Sequence, residues 1–175
     1  MHASLFTDEL REFQKTFRKF VEKEIRPHHE AWEREGLVPR SVWKKAGEQG
    51  FLCIPQDEKY GGLGLDFRYA CVVGEELAGA QASGVAFVLH SDIVAPYIET
   101  YGTDAQKQRW LPGMAAGDLI GAIAMSEPGT GSDLQGIQTK AVLDGDEWVI
   151  NGSKTFISNG INCDLCIVVC RTEEE

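Results

Sequence analysis

The chain has 175 residues, and its 17 Lys+Arg against 27 Asp+Glu give a formal net charge of −10. That balance argues against nucleic-acid binding by phosphate neutralisation. Hydrophobic residues make up 43% and charged residues 25%, a globular composition, and no apolar run approaches the ~18 residues of a membrane span. The start, Met1 to Asp8, carries neither a basic leader nor an apolar stretch. A cytoplasmic bacterial protein is the expectation, with a mature mitochondrial matrix protein as the alternative.

The first half reads as helical. Leu10, Phe13, Phe17, Phe20, Val21 and Ile25 form one apolar face at a period near that of an α-helix. Thr7 is placed to cap it, ahead of Asp8 and Glu9, and Pro27 interrupts it. A second helix spans His28 to Glu35, and a short third one, capped by Ser41, ends at Gly50. The glycine-rich 55–65 stretch is a loop. Asp66 caps a helix to about Ala80, a single apolar helix runs from Ser83 to Tyr101, and Thr103 to Gln106 fits a capping box at the start of the last. Near Gly117-Asp118 the pattern changes to short strands at Leu119–Met125, Ile137–Val142, Glu147–Ile150, Lys154–Ser158 and Leu165–Cys170. Asp144-Gly145 and Asn151-Gly152 mark tight turns between them. The strands are expected to stop at Arg171, before a solvated Glu173–Glu175 end. The fold class is α+β: a helical domain over 1–117, then over 118–175 the first strands of an antiparallel, barrel-like β-domain that does not close.

Ile123-Ala124-Met125-Ser126-Glu127-Pro128-Gly129-Thr130-Gly131-Ser132-Asp133 carries the strongest chemical signal. A strand runs into a Pro-Gly turn, two glycines let backbone N–H groups approach an acceptor, and three hydroxyls flank them. No Lys-Ser/Thr pair follows, as a phosphate-binding P-loop requires. Leu134 stands where a dinucleotide fingerprint needs its third glycine. The residues alone fit a flat polar heterocycle, a phosphate-bearing ligand, or a surface turn that binds nothing.

This segment resembles the flavin loop of the acyl-CoA dehydrogenases. A second family segment, Asn151-Gly152-Ser153-Lys154-Thr155-Phe156-Ile157-Ser158-Asn159-Gly160, follows in the right order. Val42 to Gly47, Tyr60 to Gly64 and His90-Ser91 to Ile93-Val94 extend the resemblance over essentially the whole chain. Gly121 to Met125 and Asp133 to Ile137 look most like the long-chain branch. The resemblance implies FAD as cofactor, lined by Ile123 to Ser132, with Met125 and Ser126 on the isoalloxazine. It implies Phe156 on the flavin face away from the substrate, followed by Ile157, Ser158 near the hydride-accepting nitrogen, and Ser132 also at the coenzyme A thioester. It places His90, Ser91 and Val94 along the acyl channel. Many relatives carry an aromatic residue at 123, Thr at 126 and 158, and Trp at 156; here stand Ile, Ser, Ser and Phe. The implied reaction is α,β-dehydrogenation of a fatty acyl-CoA, with an electron-transfer flavoprotein as acceptor and a homotetramer or dimer as assembly. The proton-abstracting carboxylate is expected in a C-terminal helical domain outside these residues. An acyl-CoA oxidase, a flavin monooxygenase of the same fold, and a non-catalytic binding module are the rival readings.

Other residues invite plainer readings. Glu75, Glu76 and Glu99 are expected on solvated helix faces. Cys53, Cys71, Cys163, Cys166 and Cys170 are expected as reduced, mostly buried thiols, without the second cysteine pair a structural zinc site needs. No metal site is expected, at His28-His29 or elsewhere.

Overall fold

The computed structural model describes residues 6–172; the acidic 173–175 end, expected to be solvated, lies outside them. Six helices come first: α1 (Asp8–Phe20), α2 (His29–Glu35), α3 (Arg40–Glu48), α4 (Phe67–Gly79), α5 (Ala95–Tyr101) and α6 (Asp104–Ala115). Five strands follow: β1 (Gly121–Ala124), β2 (Lys140–Asp144), β3 (Glu147–Asn151), β4 (Leu165–Val168) and β5 (Arg171–Thr172).

Thr7 caps α1 by accepting from the Leu10 N–H, and Asp66 caps α4 at the Arg68 N–H. Thr103 and Gln106 close the expected capping box at α6. Ser41 caps nothing, because α3 already starts at Arg40, after the fixed φ of Pro39. The single helix expected over Ser83–Tyr101 starts later. Residues 83–84 form a turn, and Leu89–Val94 form a π-turn that runs into α5. Pro96 supplies the reason: it has no N–H to give to the carbonyl four residues back, and a widened turn accommodates that.

The α1 face packs on α4 and on the loop after α3, with Phe17 and Phe51 ring centroids 4.8 Å apart, edge to face. Glu76 is buried rather than solvated: it accepts from Arg18 and Gln14 across this contact. A second cluster joins Val94, Ile98, Leu111 and Met114 to Ile123 of β1, so the core is continuous from helices to strand. All five cysteines are free, but Cys53 alone is buried and Cys71 and Cys166 are exposed.

The strands depart from the expected antiparallel order. β1 pairs with β4 in parallel, β2 pairs with β5 in parallel, and the β2–β3 hairpin is antiparallel. The first strand begins only at Gly121, because the Asp118 and Leu119 N–H groups bond to Gly113 and that of Ile120 to the Asp164 carboxylate. Lys154–Ser158 is not a strand, since Phe156 takes a left-handed φ of 57°. Pairing does not stop at Arg171, which donates to Thr139 O and opens β5. The hairpin leaves Leu143, Trp148, Val149 and Ile150 exposed.

Helical domain and strands meet at a tight junction. Arg40 donates to the carbonyls of Asp118 and Asn162 and to the Asp164 carboxylate. A side chain at Gly117, whose φ is 72°, would put its Cβ 2.2 Å from Trp43 O; at Gly47 it would lie 2.2 Å from the Ala116 backbone. Gly117→Ala therefore meets both strain and collision, and is expected to cost roughly 3 kcal/mol in denaturant unfolding. A loss below ~1 kcal/mol would show that the junction yields.

The π-turn carries two titrating groups of opposite sign. Burial holds His90 at about 4, below its usual 6.5, against a smaller upward pull from Met114 O. Burial raises Asp92 from 3.8 to about 6. His90 folds neutral, so its contribution is complete above pH 6.5 and is lost as pH falls towards 4. Asp92 does the opposite: stability falls as pH rises from 3.8 through 6. The two offset each other near pH 5. Asp92→Asn is expected to add about 1–2 kcal/mol at pH 8, allowing for the solvated part of the side chain. It should also steepen the loss of stability between pH 6.5 and 4, read from melts over that range. An unchanged pH profile would contradict this assignment.

Candidate functional site

β1 delivers the first segment from the interior. Ile123 and Ala124 are buried, Ile123 against the helical core, so neither side chain faces open space. Met125 and Ser126 emerge half-buried, and Pro128, Gly129, Gly131 and Ser132 are exposed. The turn is closed by Glu127 N–H to Thr130 O at 2.9 Å and Thr130 N–H to Glu127 O at 3.1 Å. The Thr130 hydroxyl donates to Gly136 O, so it is spent inside the loop.

Glu127 is the buried centre of this loop, at 7% exposure. Its carboxylate accepts from Gln138 N–H at 2.7 Å, from Thr139 N–H at 2.9 Å and from the Lys154 ammonium at 2.9 Å. Thr139, the Gln138 N–H and Lys154 outweigh burial and hold its pKa down to about 2. Those bonds take the N–H groups of 138 and 139, which is why β2 starts at Lys140 rather than at Ile137. The Glu127 side chain faces inward, into the loop. Lys154 also donates to Met125 O, and Thr155 N–H to Ser126 O at 3.0 Å. The two segments singled out in the sequence are thus bolted together.

The second segment presents an aromatic face. Phe156 is 94% exposed on a left-handed backbone, and Asn159 is also left-handed at φ 63°. Strain of this kind persists where surrounding bonds impose it. Here the bonds are Thr155 to Ser126 and the Asn159 side-chain amide to Gly121 O. Ile157 is half-buried and Ser158 exposed. The N–H groups of Gly129, Gly131 and Ser132 find no acceptor among the described residues. Open donors, the Ser132 and Ser158 hydroxyls and a bare aromatic ring suit a flat heterocycle with a polar edge.

A cleft of about 390 Å³ opens beside this segment, bounded by Trp32, Leu37, Val85, Ile157, Ser158 and Ile161 among others. It does not include the three residues expected along an acyl channel. His90 and Val94 are completely buried and Ser91 nearly so. His90 bonds to Gly121 N–H and Met114 O, and the Ser91 hydroxyl accepts from Cys53 N–H. These side chains are held in the interior and do not line this cleft; the cleft-facing positions lie earlier, at Val85 and Ala86. Lys154 and Asn159 escaped notice as single polar residues; the one signal was their place inside the second motif.

Comparison with known proteins decides the family. The model of the acyl-CoA dehydrogenase N-terminal domain matches residues 7–118, and that of the middle domain matches 122–175. The chain belongs to the acyl-CoA dehydrogenase family. It is 51% identical over 171 residues to the mitochondrial long-chain specific acyl-CoA dehydrogenase of Mus musculus, covering 98% of this chain and 40% of that protein. An acyl-CoA dehydrogenase structure from Geobacillus kaustophilus superposes with a TM-score of 0.90 at 55% identity, over 94% of this chain and 43% of the other. A Mycobacterium smegmatis glutaryl-CoA dehydrogenase in complex with FADH2 gives 0.88 at 32% identity, over 98% and 45%. The chain thus spans less than half the length of these relatives.

The buried ion pair makes an asymmetric prediction. Lys154→Met leaves the carboxylate its two backbone donors, whereas Glu127→Gln turns an amide NH2 towards one of the former donors and strips the Lys154 ammonium of its counter-charge. Glu127→Gln is therefore expected to lower the melting temperature by several degrees and by more than Lys154→Met. The double variant should recover part of the loss. Equal losses in both single variants would contradict the clamp.

Proposed function

We propose that the full-length protein is an FAD-dependent acyl-CoA dehydrogenase that oxidises the Cα–Cβ bond of a long-chain fatty acyl-CoA to the trans-2-enoyl-CoA. The observation that carries this reading is the bolted pair of segments, which sets open backbone donors and an exposed Phe156 ring around one surface. FAD held there would supply the acceptor for the hydride that leaves the acyl β-carbon. Phe156 would offer a stacking face to the ring system, and Ser158 would donate to its polar edge. Ser126 and the free N–H groups of the 129–132 turn would donate to the cofactor from the other segment. Ser132, exposed at the end of that turn, reaches the thioester end of the substrate.

The cleft beside this segment has an apolar side formed by Trp32, Leu37 and Val85 and runs up to Ile157 and Ser158, and that side is proposed to receive the acyl chain. The carboxylate that removes the α-proton belongs to the part of the protein beyond these residues. Long-chain preference is supported by the 51% identity to a long-chain specific enzyme, against 37% to the isobutyryl-CoA dehydrogenase of Dictyostelium discoideum. By family resemblance the electrons pass to an electron-transfer flavoprotein. The 55% identity to the Geobacillus kaustophilus acyl-CoA dehydrogenase supports a bacterial setting, whereas the long-chain specific relatives are mitochondrial.

The test uses the purified full-length protein without oxygen. A visible flavin spectrum that is bleached by long-chain acyl-CoA, and weakly or not at all by short or branched ones, is the expected result. Absence of flavin, or indifference to every acyl-CoA, refutes the proposal; bleaching by branched substrates alone refutes the long-chain part. Reoxidation by a carrier flavoprotein rather than by oxygen separates a dehydrogenase from an oxidase.

A further inference from the structure

His90 is an ionisable group at the centre of the molecule that the proposed reaction does not use. Its ring is completely buried, edge-to-face against Trp43 at a centroid distance of 5.2 Å. Nδ1 lies 3.0 Å from Gly121 N, and Nε2 lies 3.1 Å from Met114 O. A backbone N–H can only donate, so Nδ1 must be the bare nitrogen. A carbonyl can only accept, so Nε2 must carry the proton. The two neighbours therefore fix one neutral tautomer, and each ring nitrogen holds a different piece of the fold.

Both pieces matter for the flavin wall. Met114 is in the last turn of α6, and Gly121 is the first residue of β1. The Gly121 carbonyl is held as well, by the Asn159 side-chain amide at 3.0 Å, one residue beyond Ser158. The strand start is also pressed on the helical core: a Cβ at Gly121 would lie 2.8 Å from Val94 Cγ1 and 3.0 Å from Met114 Cε. Gly121 is thus gripped from the helical domain on one side and from the second flavin segment on the other. From it β1 runs directly to Met125 and Ser126.

We propose that His90 is a positioning residue for the cofactor: through Gly121 it sets the depth at which β1 delivers Met125 and Ser126 beside Phe156 and Ser158. This rests on the flavin reading above. His90 touches no ligand and acts only through the strand. Its two bonds can be separated by substitution. Asn places an amide oxygen near the position of Nδ1 and keeps an acceptor for Gly121, but falls short of Met114. Gln reaches towards Met114 O and leaves the Gly121 N–H without a partner in the interior.

The experiment compares His90→Asn and His90→Gln in the full-length protein by two measurements. These are the dissociation constant for added FAD after flavin removal, and amide hydrogen exchange of residues 121–124. Loss of one buried hydrogen bond corresponds to about tenfold in an equilibrium constant. His90→Gln is expected to weaken FAD binding about tenfold and to speed exchange of the 121–124 amides by a similar factor. His90→Asn is expected to change both less than about threefold, although it too lowers the melting temperature through the lost Met114 contact. A purely structural histidine would lower the melting temperature in both variants and shift FAD affinity equally, and that result overturns the proposal. If both variants prove too unstable to purify, His90→Asn and His90→Gln, each combined with the stabilising Asp92→Asn, supply the same comparison. Failure of the flavin reading is separately visible: the unaltered protein would then bind no FAD, while the exchange contrast would still report whether His90 holds the strand.

Discussion

The buried carboxylate of Glu127 organises everything chemically suggestive in this chain. One side chain gathers two consecutive backbone N–H groups and an ammonium. Four parts of the sequence that are distant from one another are fixed in consequence: the end of β1, the Pro-Gly turn, the entry to β2 and the segment leading to Phe156. A charge in the interior is costly unless it is fully paired, and this one is. Its value lies in geometry, because a carboxylate with its donors satisfied leaves the loop one arrangement. The Lys154 ammonium extends the same network to Met125 O, so the two segments share a single mechanical frame.

That frame stands on the helical domain, and the connection between them is stiff. Arg40 bridges three acceptors across the boundary, and glycines at 47 and 117 let backbone pass against backbone with no side chain between. Ile123 continues the helical core into the first strand. The strand wall therefore moves with the helices that border the cleft. Such coupling suits a site whose two walls must stay in register.

The helical half was readable from sequence because its signals are local. Thr7, Asp66 and the Thr103–Gln106 box announce helix starts through bonds spanning two or three residues, and the apolar faces repeat with the helix. The strand half was less readable because its limits are set from far away. Whether Gln138 and Thr139 join a ladder depends on Glu127, and whether Ile120 does depends on Asp164. Parallel pairing of β1 with β4 leaves no trace in either strand. The two motifs were found through resemblance, whereas the split between side chains facing out and side chains facing in was not. His90 shows the limit most clearly: the resemblance implied a place along a channel, and only the structure shows its burial and its two bonds of opposite polarity.

The left-handed backbone at Phe156 restricts more than the shape of one loop. Its exposure frees the ring from packing, so by volume alone any side chain could stand there. Its φ of 57° imposes the opposite rule, since a β-branched side chain clashes with its own backbone in that conformation. Among drifted sequences the position should thus accept other aromatic rings, which keep a flat face on an unbranched Cβ, and shut out Val, Ile and Thr even though solvent leaves ample room. The backbone acts as a filter on the alphabet, and what passes the filter and still offers a stacking surface is little more than Phe, Tyr, Trp and His.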